Sequence, residues 1–330
     1  MRWKTGEDLL EAVRGYQLAC VITAAADLDV FNALSAGPLD DTALAARIGG
    51  DLRATRILAD ALASAEVLYK NDGCYSLPAS LRPFLIDSSP QSVAAMIRHQ
   101  GTCLRRWART EWVVRSGERE ILELSVRGAE ADYAAFVEAM NVVSAGIADS
   151  LVADVDPGPF RCLLDVGGAS GTWTMAWLKR CPSARAILFD LPSVLPQARA
   201  RLASEGYADR IDLIGGDFDV DPLPTGADLV WVSAIIHQNS REQNRALFRR
   251  IAAAIVADGK ILIRDMVMEE SRIAPRQGAF FAVNMLVGTP RGGTYTLAEI
   301  REDLEQAGFY EVRLVRRDEG MHAVVAAEKR

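Results

Sequence analysis

Leu163-Leu164-Asp165-Val166-Gly167-Gly168-Ala169-Ser170-Gly171 decides how this chain is read, together with Ala186-Ile187-Leu188-Phe189-Asp190 downstream. Arg161 to Val166 is a short, mostly apolar run of the length and type of a buried strand. Gly167, Gly168 and Gly171 let the backbone turn tightly and let a ligand approach without interference from a Cβ. Thr172 to Lys179 has helix-forming composition, and Cys181-Pro182 marks its end. A second apolar run then closes on Asp190. Strand, glycine loop, helix, strand and acid is the pattern of a nucleoside pocket, in which helix N-terminus and glycine backbone face the ligand and the acid takes the ribose hydroxyls.

The choice of nucleoside follows from two residues. The dinucleotide fingerprint needs a glycine at position 166, which is valine, so NAD(P) is the second reading. Asp165 stands at the strand end, where a carboxylate would repel a pyrophosphate and suits a cationic amino group. S-adenosylmethionine (SAM) carries an ammonium, a sulfonium and a ribose but no phosphate, and is the cofactor this loop points to.

Working outward, the chain of 330 residues has room for two ordinary domains with sizeable cores. A net charge of −7 argues against a nucleic-acid partner, which calls for a basic face. The five cysteines are widely spaced with no C-x-x-C pair, as expected of reduced residues in a cytoplasmic protein without a metal site or disulfide framework. No signal-peptide core follows the charged N-terminal residues, and no run reads as membrane-spanning, so the expectation is a soluble protein with no membrane partner.

Residues 5 to 35 read as helix, with apolar residues at three- and four-residue steps and an apolar face too broad for a lone surface helix. Such a face suits packing on a partner helix, within the chain or across a dimer, or equally an ordinary core helix. Beyond Gly37-Pro38 come a short helix capped by Asp40 or Asp41, a second over Leu52 to Val67, and a hairpin turning on Lys70-Asn71-Asp72-Gly73. That is a winged-helix outline, yet the second helix mixes Arg53 and Arg56 with Asp51, Asp60 and Glu66 and is otherwise apolar, which suits packing better than reading DNA. Residues 90 to 150 read as largely helical, and Asp154 to Phe160 as the linker between a domain at 1–155 and another at 156–330. From Arg161 strands and helices alternate, predicting a parallel sheet covered on both faces, with strands at 161–167, 184–190, 210–216, 227–235 and 259–267. Tyr310–Arg317 and Met321–Glu328 make a closing antiparallel hairpin.

Ligands of an open α/β sheet bind beyond the carboxyl ends of its strands. Asp165 and Asp190 close the first two, and Gly216-Asp217-Phe218 the third. The fourth delivers His237-Gln238-Asn239 and the fifth Asp265. Of three histidines (His99, His237, His322), His237 alone ends an apolar strand beside the loop, which nominates it as a general base. His322 reads as structural.

These residues carry a resemblance. Leu-Asp-Val-Gly-Gly-x-x-Gly at 164–171, Phe-Asp-Leu-Pro-Ser-Val at 189–194, Gly-Gly-Asp-Phe at 215–218, His237 after the fourth strand and Thr296 to Phe309 together resemble the two-domain SAM-dependent O-methyltransferases of plant caffeate/flavonoid and bacterial polyketide type. The resemblance implies an α/β, Rossmann-like SAM methyltransferase sheet ending in an antiparallel hairpin, preceded by a mostly helical, winged-helix-like dimerisation domain. It implies methyl transfer to a small aromatic or polyketide-like acceptor, leaving S-adenosylhomocysteine (SAH), in a metal-independent homodimer. His237 would be the base and Asp265 its orienting acid; Asp165, Gly167, Gly168, Gly171, Asp190, Leu191, Gly216, Asp217, Phe218 and Ser233 would hold the cofactor. Phe136, Met140, Phe280, Asn284 and Met285 are candidates for the acceptor wall. The chain departs from the family pattern at Gln238, where an aspartate is usual, at Ser233, where a lysine is common, and at Thr294, where a second acid usually flanks the base. The alternatives are a C- or N-methyltransferase, a SAM-binding enzyme of other chemistry, or a winged-helix ligand-sensing regulator.

Overall fold

The computed structural model describes residues 3–119 and 124–330, so four positions of the predicted helical stretch at 90–150 lie outside the described residues. The chain divides into two compact units: Met1–Ala108 with Ile121–Val142, and Arg109–Glu120 with Val143–Arg330.

In the first unit the predicted N-terminal helix is three: α1 (Gly6–Arg14), α2 (Tyr16–Asp27) and α3 (Val30–Ala33). Apolar periodicity runs through all three, but Asp29 takes a left-handed conformation (φ 64°), which ends α2. Helices α1 and α2 pass through Gly15 as one stretch, Gly6–Asp27, long and apolar enough by length and composition to cross a membrane, a run of a length the sequence reading did not find. In this fold the second half of that stretch packs inward. Ala25 and Ala26 enter a core with Phe31, Leu34, Leu44, Leu62 and Tyr75. The strand β1 (Leu39–Asp40) leads to α4 (Asp41–Ile48), capped by Asp40, whose carboxylate accepts from the Ala43 amide at 2.7 Å. Asp51 caps α5 (Leu52–Ser64) in the same way. The hairpin of β2 (Tyr69–Asn71) and β3 (Cys74–Ser76) turns on Asp72 and Gly73, both at positive φ, and β1 pairs with β3 to complete a small sheet. After α6 (Arg82–Leu85), α7 (Ala94–Trp107) packs on α2.

The helices α8 (Thr110–Ser116), α9 (Ala129–Ala145) and α10 (Ala148–Val155) precede the sheet of the second unit. Its strands are β4 (Cys162–Val166), β5 (Arg185–Asp190), β6 (Ile211–Gly215), β7 (Leu229–Ser233), β8 (Lys260–Asp265), β11 (Phe309–Arg316) and β12 (Ala323–Lys329), with a two-residue side pair of β9 (Val267–Met268) and β10 (Tyr295–Thr296). The order is β11-β12-β8-β7-β4-β5-β6; β4 to β8 run parallel and the β11–β12 hairpin antiparallel.

Side chains alternate across this sheet and feed two cores. Leu164, Val166, Val230, Val232, Ile261 and Ile263 face α13 (Arg241–Ala254) and α15 (Leu297–Gln306). Leu163, Leu188, Trp231 and Leu262 face α10, α11 (Thr172–Arg180) and α12 (Leu195–Ser204). The chain leaves β4 toward β5 and β6, then crosses back to place β7 on the other side of β4. The strand order therefore reverses between β4 and β7, opening a crevice at their carboxyl ends.

Replacing Phe248, which α13 buries in the first core, tests the packing. Phe248→Ala should lower stability by about 3–5 kcal/mol in urea unfolding, against about 0.5 kcal/mol or less for the exposed Arg249→Ala; equal losses would contradict the assignment.

Candidate active site

At the end of β4 the glycine loop sits hard on the core. Gly167 has φ +69°, and a Cβ there would lie 2.7 Å from the Ile235 side chain, so only glycine holds this path. Its amide donates to the Phe189 carbonyl at 2.8 Å, and the Gly171 amide closes the turn on the Gly168 carbonyl at 2.9 Å. Asp190, on β5, accepts the Ala169 amide on one carboxylate oxygen and the Leu191 amide on the other, both at 2.7 Å. Each oxygen keeps a second lone pair, so the carboxylate can still accept from a vicinal diol such as a ribose. Burial raises the Asp190 pKa, and the two amides oppose that. The Asp190 carbonyl accepts from Gly216 at 3.0 Å, which brings the third strand end alongside. There the Asp217 carboxylate accepts the Asp219 amide at 2.9 Å, and the Phe218 ring packs against the core. Leu191 is partly exposed beside Asp190. The sequence-derived residues Gly167, Gly168, Gly171, Asp190, Leu191, Gly216, Asp217 and Phe218 thus cluster at the carboxyl edge of the sheet.

Asp165 is more deeply placed than its reading as an ammonium partner suggested. It is 1% exposed, and one carboxylate oxygen accepts the Thr174 hydroxyl at 2.6 Å. Burial pushes its pKa up to about 7, against the Thr174 hydrogen bond and with some help from Asp190. Thr174, on α11, was not identified from sequence; a threonine facing back toward a strand-end acid is the signal that was available.

On the other side of the crevice β7 ends at Ser233, and a 3-10 turn over Ile236–Gln238 presents His237, 7% exposed. His237 Nδ1 lies 2.8 and 3.0 Å from the two oxygens of Asp265, the last residue of β8. An ionised carboxylate only accepts, so in the neutral imidazole the proton sits on Nδ1 and Nε2 carries the free lone pair. The Met266 amide donates to Asp265 Oδ1 at 2.7 Å and fixes the acid in turn. The turn is held from outside as well. The Gly293 amide donates to the His237 carbonyl at 2.9 Å, Asn244 donates to the Ile236 carbonyl at 2.9 Å, and the Tyr295 hydroxyl donates to the Asn239 carbonyl. Gly292 packs so closely that a Cβ would stand 2.4 Å from the His237 oxygen. The Phe281 ring, on α14 (Arg276–Gly288), meets the imidazole edge-on with centroids 4.9 Å apart.

Phe281 was missed in the sequence, where its neighbour Phe280 was chosen. Phe280 is 52% exposed with Arg276 stacked over it at 4.9 Å; Asn284 lies one helical turn on, and Met285 is buried. Phe136 and Met140 belong to the first unit, where Phe136 packs 5.2 Å from His99. Gln238 is exposed and donates to the Ala234 carbonyl, while Thr294 is buried and its carbonyl accepts from Arg272. His322 accepts hydrogen bonds from Arg264, consistent with a structural reading.

A helical first unit, a doubly wound sheet closed by an antiparallel hairpin, and a histidine–carboxylate pair beside a glycine loop define a class of methyl-transferring enzyme. Residues 108–310 match the model of the O-methyltransferase domain, and residues 10–81 that of the O-methyltransferase dimerisation domain. The chain belongs to the O-methyltransferase family, enzymes that use SAM as methyl donor. It is 31% identical, over 97% of its length and 94% of the relative's, to 3-hydroxy-5-methyl-1-naphthoate 3-O-methyltransferase of Streptomyces sahachiroi. Among solved structures it resembles PigF with SAH (28% identity, TM-score 0.88, 99% of this chain and 100% of that one). Human N-acetylserotonin methyltransferase in complex with SAM is similar as well (26% identity, TM-score 0.82, 99% and 98%).

The raised Asp165 pKa has a signature in stability. Between the unfolded carboxyl value of about 4 and about 7, folded Asp165 keeps a proton that the unfolded chain has released. Its stabilising effect is full below the unfolded pKa and is lost as pH rises through the folded one. Urea unfolding without cofactor should show the wild type losing stability relative to Asp165→Asn as pH rises from about 4 to about 8; a pH-independent difference would contradict the assignment.

Proposed function

We propose that this enzyme transfers the methyl group of SAM to a hydroxyl of a small aromatic or polyketide-like acceptor, with His237 as general base and Asp265 orienting it. The observation that carries the reading is the His237–Asp265 pair, 2.8 Å apart, at the carboxyl edge of the sheet next to the glycine loop. In this reading Gly167, Gly168 and Gly171 present backbone to the cofactor, Asp190 takes the ribose, and Asp217, Phe218 and Leu191 border the adenine. Phe280, Asn284 and Phe281 belong to the acceptor wall.

The sulfonium of SAM supplies an already activated methyl group. What remains for the chain is alignment and removal of one proton. A phenol of pKa about 10 is mostly protonated at neutral pH, so Nε2 of His237, left bare by the Nδ1–Asp265 bond, accepts the proton as the oxygen attacks. Holding acceptor oxygen, methyl carbon and sulfur in line supplies the rest of the acceleration. The named acceptor of the Streptomyces relative, a hydroxynaphthoate, supports the choice of a fused aromatic phenol.

The same reading includes a homodimer. Leu9, Leu10 and Val13 of α1, with Tyr16 and Leu18, leave their side chains exposed in the single chain, and the dimerisation-domain match covers all but the first of them. An apolar face of this kind calls for a partner surface. All five cysteines are free, which fits a cytoplasmic enzyme.

With radiolabelled SAM and a panel of hydroxynaphthoates and simpler phenols, label should pass to the phenolic oxygen. His237→Ala should lose about 10²–10⁴-fold in turnover while its calorimetric affinity for SAH stays within about twofold of wild type; undiminished turnover would remove His237 from the mechanism. Leu10→Glu combined with Val13→Glu should shift the light-scattering mass from that of a dimer to that of one chain, and an unshifted dimer would exclude α1 from the interface.

A further inference from the structure

Arg264 follows the apolar run Ile261–Ile263 of β8 and precedes Asp265, and it is 2% exposed. Its side chain leaves the strand on the face opposite Asp265, over the core formed with α10 and α11. Nη1 donates to Ser233 Oγ at 2.9 Å, while Nε and Nη2 reach His322 Nδ1 at 3.2 and 3.0 Å. The Trp173 ring covers the guanidinium at 4.7 Å. Among the described residues no carboxylate comes within 4.0 Å of it: Asp265 and Asp318 act from farther away, and Arg316 opposes them. Burial lowers its pKa to about 10, which leaves it charged at neutral pH.

A buried cation held only by a hydroxyl, an imidazole and a ring face is costly. The place of Ser233 suggests what offsets that cost. Ser233 is the register partner of Arg264 and lies one residue beyond Val232, the partner of Val166. It is therefore level with Gly167, across the strand-order reversal, and it is partly exposed. Because its oxygen accepts from Arg264, its own proton is free to be donated into the crevice.

We propose that Arg264 is a positioning residue for the cofactor: through Ser233 it holds the α-carboxylate of the amino-acid end of SAM. The buried guanidinium supplies the positive field, and the Ser233 hydroxyl delivers the hydrogen bond. This places the missing counter-ion of Arg264 on the ligand. It also accounts for a chain with serine at 233, since the cation stands on the neighbouring strand. Successive residues of β8 then serve the two ends of the reaction, Asp265 the base on one face and Arg264 the methyl donor on the other. The proposal rests on the SAM-binding reading of this crevice, and its test separates the two.

The test is calorimetric titration of the full chain with SAH and with decarboxylated SAH, 5′-deoxy-5′-(3-aminopropylthio)adenosine, which keeps the ammonium and lacks the carboxylate. Wild type binding neither ligand would overturn the SAM-binding reading itself. Given wild-type binding, Arg264→Met should weaken SAH at least tenfold and leave the decarboxylated ligand within twofold. Ser233→Lys in the Arg264→Met background, which returns a cation to the neighbouring position, should recover most of the lost SAH affinity. Ser233→Ala leaves Arg264 in place and should show the same selectivity, about fivefold against SAH alone. It carries the test if Arg264→Met does not fold. Equal weakening of both ligands, as a purely structural role for Arg264 would give, or unchanged SAH affinity in the variants, would overturn the proposal.

Discussion

The hydrogen bond between His237 and Asp265 depends on two parallel strands ending at the same level. The pairing of β7 with β8 runs Leu229 to Lys260 through Ser233 to Arg264, so the residue after Arg264 emerges beside the turn that follows Ser233. A one-residue slip would turn every side chain of β8 to the other face, putting Arg264 where Asp265 stands. The alternating core prevents that, because Ile261 and Ile263 belong to one buried cluster and Leu262 to the other. The geometry of the His237–Asp265 pair is here a consequence of hydrophobic register.

The same logic distributes charge along the carboxyl edge. Burial raises the pKa values of Asp165 and Asp190 and lowers that of Arg264. Each is held by specific partners: Thr174 for Asp165, two backbone amides for Asp190, Ser233 and His322 for Arg264. The acids lie on β4 and β5, and Arg264 lies beyond β7 on β8. In the proposed reading, a ligand carrying both an ammonium and a carboxylate would meet acids on one side of the reversal in strand order and the Arg264–Ser233 pair on the other.

Much of the fold could be read from residues alone, because buried parallel strands appear as short apolar runs ended by acids and punctuated by glycine. Every principal strand was expected within a few residues of its place, and the cap of the short helix was narrowed to Asp40 or Asp41, of which Asp40 makes it. The break of the N-terminal helix was not legible, because apolar spacing continues unbroken past Asp29 while the backbone does not. The β9–β10 pair is too short to carry a period. At the site, strand-end residues such as His237 and Asp265 could be nominated because an α/β sheet presents its carboxyl ends to ligands. Partners on packed helices could not. Thr174 and Phe281 depend on which face of its helix each side chain takes; so, on β8, does Arg264, which meets a histidine 58 residues away.

Nitrogen NMR of the ring of His237, in protein labelled with ¹⁵N-histidine and saturated with SAH, tests the central claim most directly. The account predicts a protonated Nδ1 and a pyridine-like, proton-free Nε2 at neutral pH, with that pattern lost in Asp265→Asn. A ring carrying its proton on Nε2 in the wild-type complex could not accept a proton from an acceptor, and would contradict it.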